Sequence, residues 1–105
     1  MAPKVIASGF GTAWDGEYEM IYNTLNSNIN HWANGPVNEV GTYYIYKDSF
    51  YWFISDSNYQ ACYELDNIII SDRIKAYKEY AQGSTPAGHY TGTTGNPDGD
   101  VTWVG

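Results

Sequence analysis

Apolar and polar residues alternate with a period of two in several short stretches of this chain, which is the mark of strands buried on one face. Val5 to Phe10 is a short apolar run that ends in Gly9-Phe10-Gly11. The turn dipeptide Asp15-Gly16 follows Trp14, and Glu17 to Tyr22 then sets Tyr18, Met20 and Tyr22 on one face. Asn23 to Asn30 is polar and predicts a loop or a weak hairpin. Ile29, His31 and Ala33 alternate with Asn30, Trp32 and Asn34, so a short strand is expected before the turn Asn34-Gly35-Pro36. The densest signal is the pair Thr42–Tyr46 and Phe50–Ile54, rich in aromatic and β-branched residues and joined by Lys47-Asp48-Ser49 as a hairpin loop. Gln60 to Leu65 alternates again, with Ala61, Tyr63 and Leu65 on one face.

One segment changes period. Ile70, Ile74, Tyr77 and Ala81 recur at helical spacing, Ser71 suits an N-cap, and Gly83 suits a stop. This spacing predicts a short helix over residues 71–82. A strand is the alternative, because Ile74, Ala76, Lys78 and Tyr80 also share a face. Residues 83–100 are rich in Gly, Thr and Pro and read as a long loop, after which Val101 to Val104 returns Trp103 to the sheet. The strands are close in sequence, so an antiparallel meander is the economical topology. The expected fold is mainly β: a small antiparallel β-meander sheet with one short helix in an insertion and a Gly/Pro-rich C-terminal loop. It forms a single domain over residues 1–105.

Composition narrows the partners. Twelve acidic residues against five basic ones give a formal charge of -7. Arg73, Lys75 and Lys78 form the densest basic group, and Asp72 and Glu79 flank them, so no footprint for a phosphate backbone or an anionic membrane is expected. Cys62 is the only cysteine, which excludes an internal disulfide. No apolar run follows the first residues, so no secretion signal is expected and synthesis is placed in the cytoplasm.

Candidate chemistry is sparse. Cys62 with His31 or His89 is the one thiol–base pairing available. Cys62 lies mid-strand among aromatics without an activating helix start, which fits an inert core thiol better. The two histidines are isolated and fit packing or hydrogen-bonding roles better than metal ligation. Asp15, Glu17 and Glu19 are close enough for two-carboxylate chemistry, yet Glu17 and Glu19 alternate with Tyr18 and Met20 as solvated outward residues would. Asn96-Pro97-Asp98-Gly99-Asp100 has the oxygen-rich start of a calcium loop without its closing Glu, and a turn is favoured. No catalytic residue, no metal and no cofactor is expected, and the chain is read as a non-enzyme.

The remaining feature is aromatic excess: eleven Tyr, four Trp and three Phe are more than one small core would hide. Some should form the core and cross-strand ladders, and the surplus should be exposed for binding. Trp14, Trp32, Tyr44 and Tyr51 are the candidate binding residues.

The phrase Val5-Ile6-Ala7-Ser8-Gly9-Phe10-Gly11-Thr12-Ala13 followed by Gly16-Glu17-Tyr18 resembles the opening of a short β module recurrent in bacteriophage tail, fibre and other virion proteins. The resemblance runs on through Trp32-Ala33-Asn34-Gly35, Tyr43-Tyr44-Ile45-Tyr46, Trp52-Phe53-Ile54-Ser55-Asp56 and Tyr63, to Asn96-Pro97 and Trp103. Lys47-Asp48-Ser49 departs from the family's usual Trp-Asp-Gly turn, and residues from about Asn67 to Ser84 look like an insertion. The likeness implies a virion decoration or attachment module, made in the host cytoplasm and present in many copies as a homo-oligomer. Its partners would be capsid or tail proteins. A carbohydrate-binding module or receptor-binding tip for a host surface glycan is the alternative.

Overall fold

The computed structural model describes residues 4–22, 30–36, 39–47, 51–56, 74–79, 85–93 and 95–104. Eight strands run through these residues: β1 (Lys4–Ser8), β2 (Gly16–Tyr22), β3 (Asn30–Ala33), β4 (Tyr44–Lys47), β5 (Tyr51–Ser55), β6 (Ile74–Glu79), β7 (Gly88–Gly92) and β8 (Gly99–Trp103). Each pairs antiparallel with its neighbours in sequence, and β8 returns to β1 through Val5↔Trp103, Ile6↔Thr102, Ala7↔Val101 and Ser8↔Asp100. The chain therefore follows the expected meander but closes it into a barrel, a correction to the open sheet. Closure removes the two unpaired edges that an open sheet of this length would expose to other chains.

Directly opposed residues share a face, so the register traces the interior around the barrel. Val5 faces Tyr18, Trp32 faces Ile45, Ile45 faces Ile54, Ile54 faces Ala76, and Val101 faces Ala7. These residues, with Phe10, Trp52 and Tyr90, form one buried cluster. An eight-stranded barrel is just wide enough for side chains to fill, and here aromatic rings fill it. A second buried cluster of Ala33, Tyr44, Tyr46, Phe53 and Ile74 occupies the opposite face of β3 to β6, with Tyr51 and Tyr77 packed against it. Ile74 reaches this cluster because the register slips between Ile54 and Ser55, which pairs Ile74 with Ser55. Tyr44–Tyr46 and Trp52–Ile54 are apolar at every position because these stretches of β4 and β5 are covered on both sides.

Two further expectations are corrected. The core of the helix expected over residues 71–82 is β6, whose Ile74, Ala76 and Lys78 are buried while Lys75 and Tyr77 are half-buried. β6 is laddered on both sides, to β5 and to β7, so a helix here would leave two strands unpaired and the barrel open. Tertiary pairing overrides the helical spacing, and the alternating reading prevails. The residues read as a C-terminal loop contain β7 and the start of β8. Gly99 is not loop punctuation: a Cβ there would lie 2.6 Å from both the Phe10 ring and the Ser8 carbonyl oxygen. Only glycine admits that approach. The strand expected at Gln60–Leu65 lies outside the described residues.

Candidate functional site

The motif residues are used first for the fold. Asp15 accepts hydrogen bonds from the backbone N–H groups of Gly9 (3.2 Å) and Phe10 (2.9 Å), fixing the β1–β2 connection and directing Phe10 into the barrel. There Phe10 meets Tyr90 edge-on, with ring centroids 6.1 Å apart.

The Gly-x-Tyr phrase occurs twice with the same geometry. Tyr18 donates its hydroxyl to the Trp14 carbonyl at 2.6 Å, and Tyr90 donates to the Pro86 carbonyl at 2.6 Å, each four residues back. The intervening Gly16 and Gly88 take φ of 129° and 143°, where side-chain-bearing residues are strained. Burial pushes both phenols well above the usual tyrosine range. The first copy was visible in the sequence as part of the module's opening. The second, Gly88-His89-Tyr90, was hidden in residues read as loop.

The four candidate binding residues are not brought together. Trp32 and Tyr44 are buried, at 5% and 2% exposure, and present no platform to a partner. This corrects the expectation that they lie in an exposed surplus: Trp32 belongs to the barrel interior and Tyr44 to the second cluster. Tyr51 is half-buried, edge-on to Tyr77 at 5.6 Å. Trp14 is half-buried and stacked on Tyr43, with centroids 4.0 Å apart and planes 12° apart, and the Lys75 ammonium lies 5.6 Å from its ring centre. Its ring is thus engaged within the protein.

The candidate polar sites resolve in the same way. Glu17 and Glu19 point to solvent and pair with Lys4 at 3.8 and 3.3 Å, as outward residues would. Asn96 accepts from Lys75 Nζ at 3.0 Å and donates to Thr93 Oγ1 at 2.7 Å, so it closes a turn between β7 and β8. Among the described residues, no three His, Cys, Asp or Glu side chains gather where one ion could sit. Cys62 lies outside the described residues. His31 falls on β3, far in sequence from His89.

What the structure does assemble lies on the outward side of β7 and β8. His89 Nδ1 is 3.0 Å from Asp100 Oδ1 and its Nε2 is 3.3 Å from Asp98 Oδ2. The hydrogen bond to Asp100, then that to Asp98, raises the imidazole's pKa above its ordinary value. Asp98 also accepts from the Gly92 N–H at 2.8 Å, and this bond, then His89, lowers its own pKa. The carboxylates approach opposite nitrogens of one ring, so they cannot converge on a single metal ion. Beside them runs a shallow groove of about 740 Å³, lined by Ser8, Gly88, His89, Asp100, Thr102 and Trp103 among others. Trp103 is 47% exposed and stands edge-on to Trp32, 6.0 Å between centroids. Trp103 opposes Val5 and so faces inward, as its expected return to the sheet implied, and its place at the end of β8 leaves the ring partly exposed. No family model, curated protein or solved structure matches the chain.

Proposed function

We propose that this chain is a non-enzymatic structural module of a bacteriophage virion, decorating capsid or tail in many copies and held by side chains on the outside of its barrel. The resemblance to phage virion modules is carried by residues that build the barrel: Phe10 at the β1–β2 turn, Gly16 and Tyr18 at the start of β2, and Trp52 and Phe53 in β5. Shared residues of this kind point to a shared scaffold and leave the partner to the surface.

The observation that carries the proposal is a pair of exposed apolar side chains where the barrel closes. Ile6 is 37% exposed and Val104 40% exposed, and Val104 N–H donates to the Lys4 carbonyl, which continues the β1–β8 ladder past Trp103. Ile6 and Val104 are therefore diagonal neighbours on one outward face, within mutual reach of a partner's side chain. Because the described strands form a closed ring, association must use such side chains rather than an added strand. The charge of -7 keeps unassembled copies apart and soluble.

The test is co-sedimentation of the tagged protein with virions that lack it. Stoichiometric transfer to the pellet, reduced by Ile6→Asp, is the expected result. Folded protein that stays in the supernatant at every virion concentration would overturn the reading.

A further inference from the structure

We infer that the mouth of the barrel beside Lys78 binds a carboxylate carried on a small apolar body, with the Lys78 amine as its ionic partner and Trp103 against its apolar part. This site is on the inside of the barrel and uses no residue of the Ile6–Val104 surface, so it stands apart from the virion reading.

The register gathers the residues. Trp52 opposes Lys47 in β4 and Lys78 in β6, and Trp52 belongs to the interior cluster, so both lysines fall on the inward face. All three lie at the end of the barrel where β5 begins and where β4 and β6 finish. Trp103 finishes β8 at the same end, opposite buried Val5. From Trp103 the indoles run inward, 6.0 Å to Trp32 and 5.9 Å more to Trp52, between centroids. Trp32 and Trp52 are buried while Trp103 is nearly half exposed, so the mouth is open on the Trp103 side. Further in, Phe10, Ile54 and Ala76 close the interior, which confines a ligand to the mouth.

Lys78 is the unusual member. It is buried at 5% exposure, its Nζ donates to the Ala87 carbonyl, and it lies 6.0 Å from the Tyr90 ring centre. Among the described residues no carboxylate pairs with it, so an ammonium with three protons to donate has one protein acceptor. Burial alone lowers its pKa. Trp32 and Trp52 add two buried indole N–H groups that have no acceptor. The acidic residues of the described strands, Glu17, Glu19, Glu79 and Asp100, are all exposed on the outward face. A chain with twelve acidic and five basic residues thus places two lysines and no described carboxylate inside this end. Gly88 keeps the amine uncovered: a Cβ there would lie 3.1 Å from Nζ, and its φ of 143° selects glycine. Ala87, Gly88, Val101 and Trp103 border open space beside it.

Donors and positive charge without acceptors define the complement. A carboxylate close to the amine favours its charged form and supplies the missing acceptors. A cation would meet two lysines, and a neutral ligand would leave Lys78 without a counter-ion. A bare inorganic anion would gain nothing from Trp103, whereas an apolar body displaces water from its exposed ring.

The experiment is an NMR titration of protein labelled at the indole nitrogens and the lysine ε-carbons, with hexanoate and phenylacetate as probes. Acetate supplies the charge without the body, and 1-hexanol supplies the body without the charge. Either carboxylate probe should shift the Trp103 indole and the Lys78 ε-methylene together, and should raise the pH midpoint of Lys78. Acetate and hexanol should each bind about tenfold more weakly or worse. Lys78→Met keeps the apolar stem and removes the charge; it should weaken hexanoate about tenfold or more and leave the hexanol response unchanged. The inference is overturned if neither carboxylate moves Trp103 and Lys78, if hexanol binds as tightly as hexanoate, or if Lys78→Met binds hexanoate like wild type. Should Lys78→Met fail to fold, the wild-type protein decides: a Lys78 midpoint that saturating hexanoate does not raise overturns the inference.

Discussion

The two halves of the barrel are built by different rules. β1, β2, β7 and β8 are buried on one face only: in β1, Val5 and Ala7 are buried while Ile6 and Ser8 are exposed, and in β2 Tyr18 is buried between exposed Glu17 and Glu19. β3 to β6 are packed on both faces, and all of Tyr44, Ile45 and Tyr46 in β4 and Trp52 to Ser55 in β5 are buried. The one-sided half carries the charged and mixed surface, including His89, Asp98 and Asp100. The two-sided half absorbs the aromatic surplus. Aromatic abundance therefore does not by itself mark a binding surface in this protein, because two buried layers absorb most of it.

The sharpest way to break this comparison is to remove one large side chain from each layer. Phe53→Ala, in the outer cluster, should destabilise the fold by about 3–5 kcal/mol, and Ile54→Ala, in the barrel interior, by about 2–5 kcal/mol. Ile6→Ala on the one-sided half should cost about 0.5 kcal/mol or less. Urea unfolding of the three variants checks this. If Phe53→Ala proves as mild as Ile6→Ala, the outer cluster is not a core and the comparison fails. A smaller effect, about 1–3 kcal/mol, is expected for Gly99→Ala, whose new methyl would press on the Phe10 ring and on the Ser8 backbone. Stability equal to wild type would mean that β8 can draw away from the β1–β2 turn.

The paired Gly-x-Tyr devices sit in the one-sided half and sharpen the contrast at lower energy. Tyr90→Phe leaves the Pro86 carbonyl without its donor in a buried setting and should cost about 1–2 kcal/mol. Tyr18→Phe, whose bond to Trp14 is partly buried, should cost less. Thermal melts of the two single variants rank them, and a reversed order would show that burial does not set the cost of the lost bond.

How far the sequence could be read follows from this asymmetry. Of the one-sided strands, β2 was legible because Glu17-Tyr18-Glu19 alternates as a half-buried strand should, whereas β1 read only as a short apolar run in which nothing set Ile6 apart from its buried neighbours Val5 and Ala7. β4 and β5 were legible as strands from propensity, but their second buried face was not. Counting one core left Trp32 and Tyr44 as surplus, when each belongs to a different buried layer. β6 was ambiguous because Ile74 and Tyr77 satisfy a helical spacing while Ile74, Ala76 and Lys78 satisfy a strand; only pairing to β5 and β7 decides between them. β7 and the start of β8 were hidden by glycines that are needed for left-handed backbone at Gly88 and close approach at Gly99. The groove was invisible for a related reason. His89, Asp98 and Asp100 look like a turn in one dimension, and only the β7–β8 register brings them around one imidazole.

The smallest expected effect is a dependence on pH confined to the one-sided half. His89 is held above its ordinary pKa of 6.5, first by Asp100 and then by Asp98, so its contribution is fully present below pH 6.5 and fades as pH rises through the raised value. Asp98 is held below 3.8, first by the Gly92 N–H and then by His89, so its contribution is present above pH 3.8 and fades as pH falls through the lowered value. The two windows overlap between those ordinary values, and the clamp across β7 and β8 is complete there. All three side chains are exposed, so solvent screens them and the change in melting temperature should be slight. The His89 imidazole should titrate in an NMR series with a midpoint above 6.5, and Asp100→Asn should lower that midpoint more than Asp98→Asn, since the Asp100 bond is the larger cause. The melting difference between wild type and His89→Gln should shrink as pH rises past the midpoint. A His89 that titrates at its ordinary value in all three proteins would show that the clamp does not hold in solution, and would remove the fixed imidazole from the groove beside it.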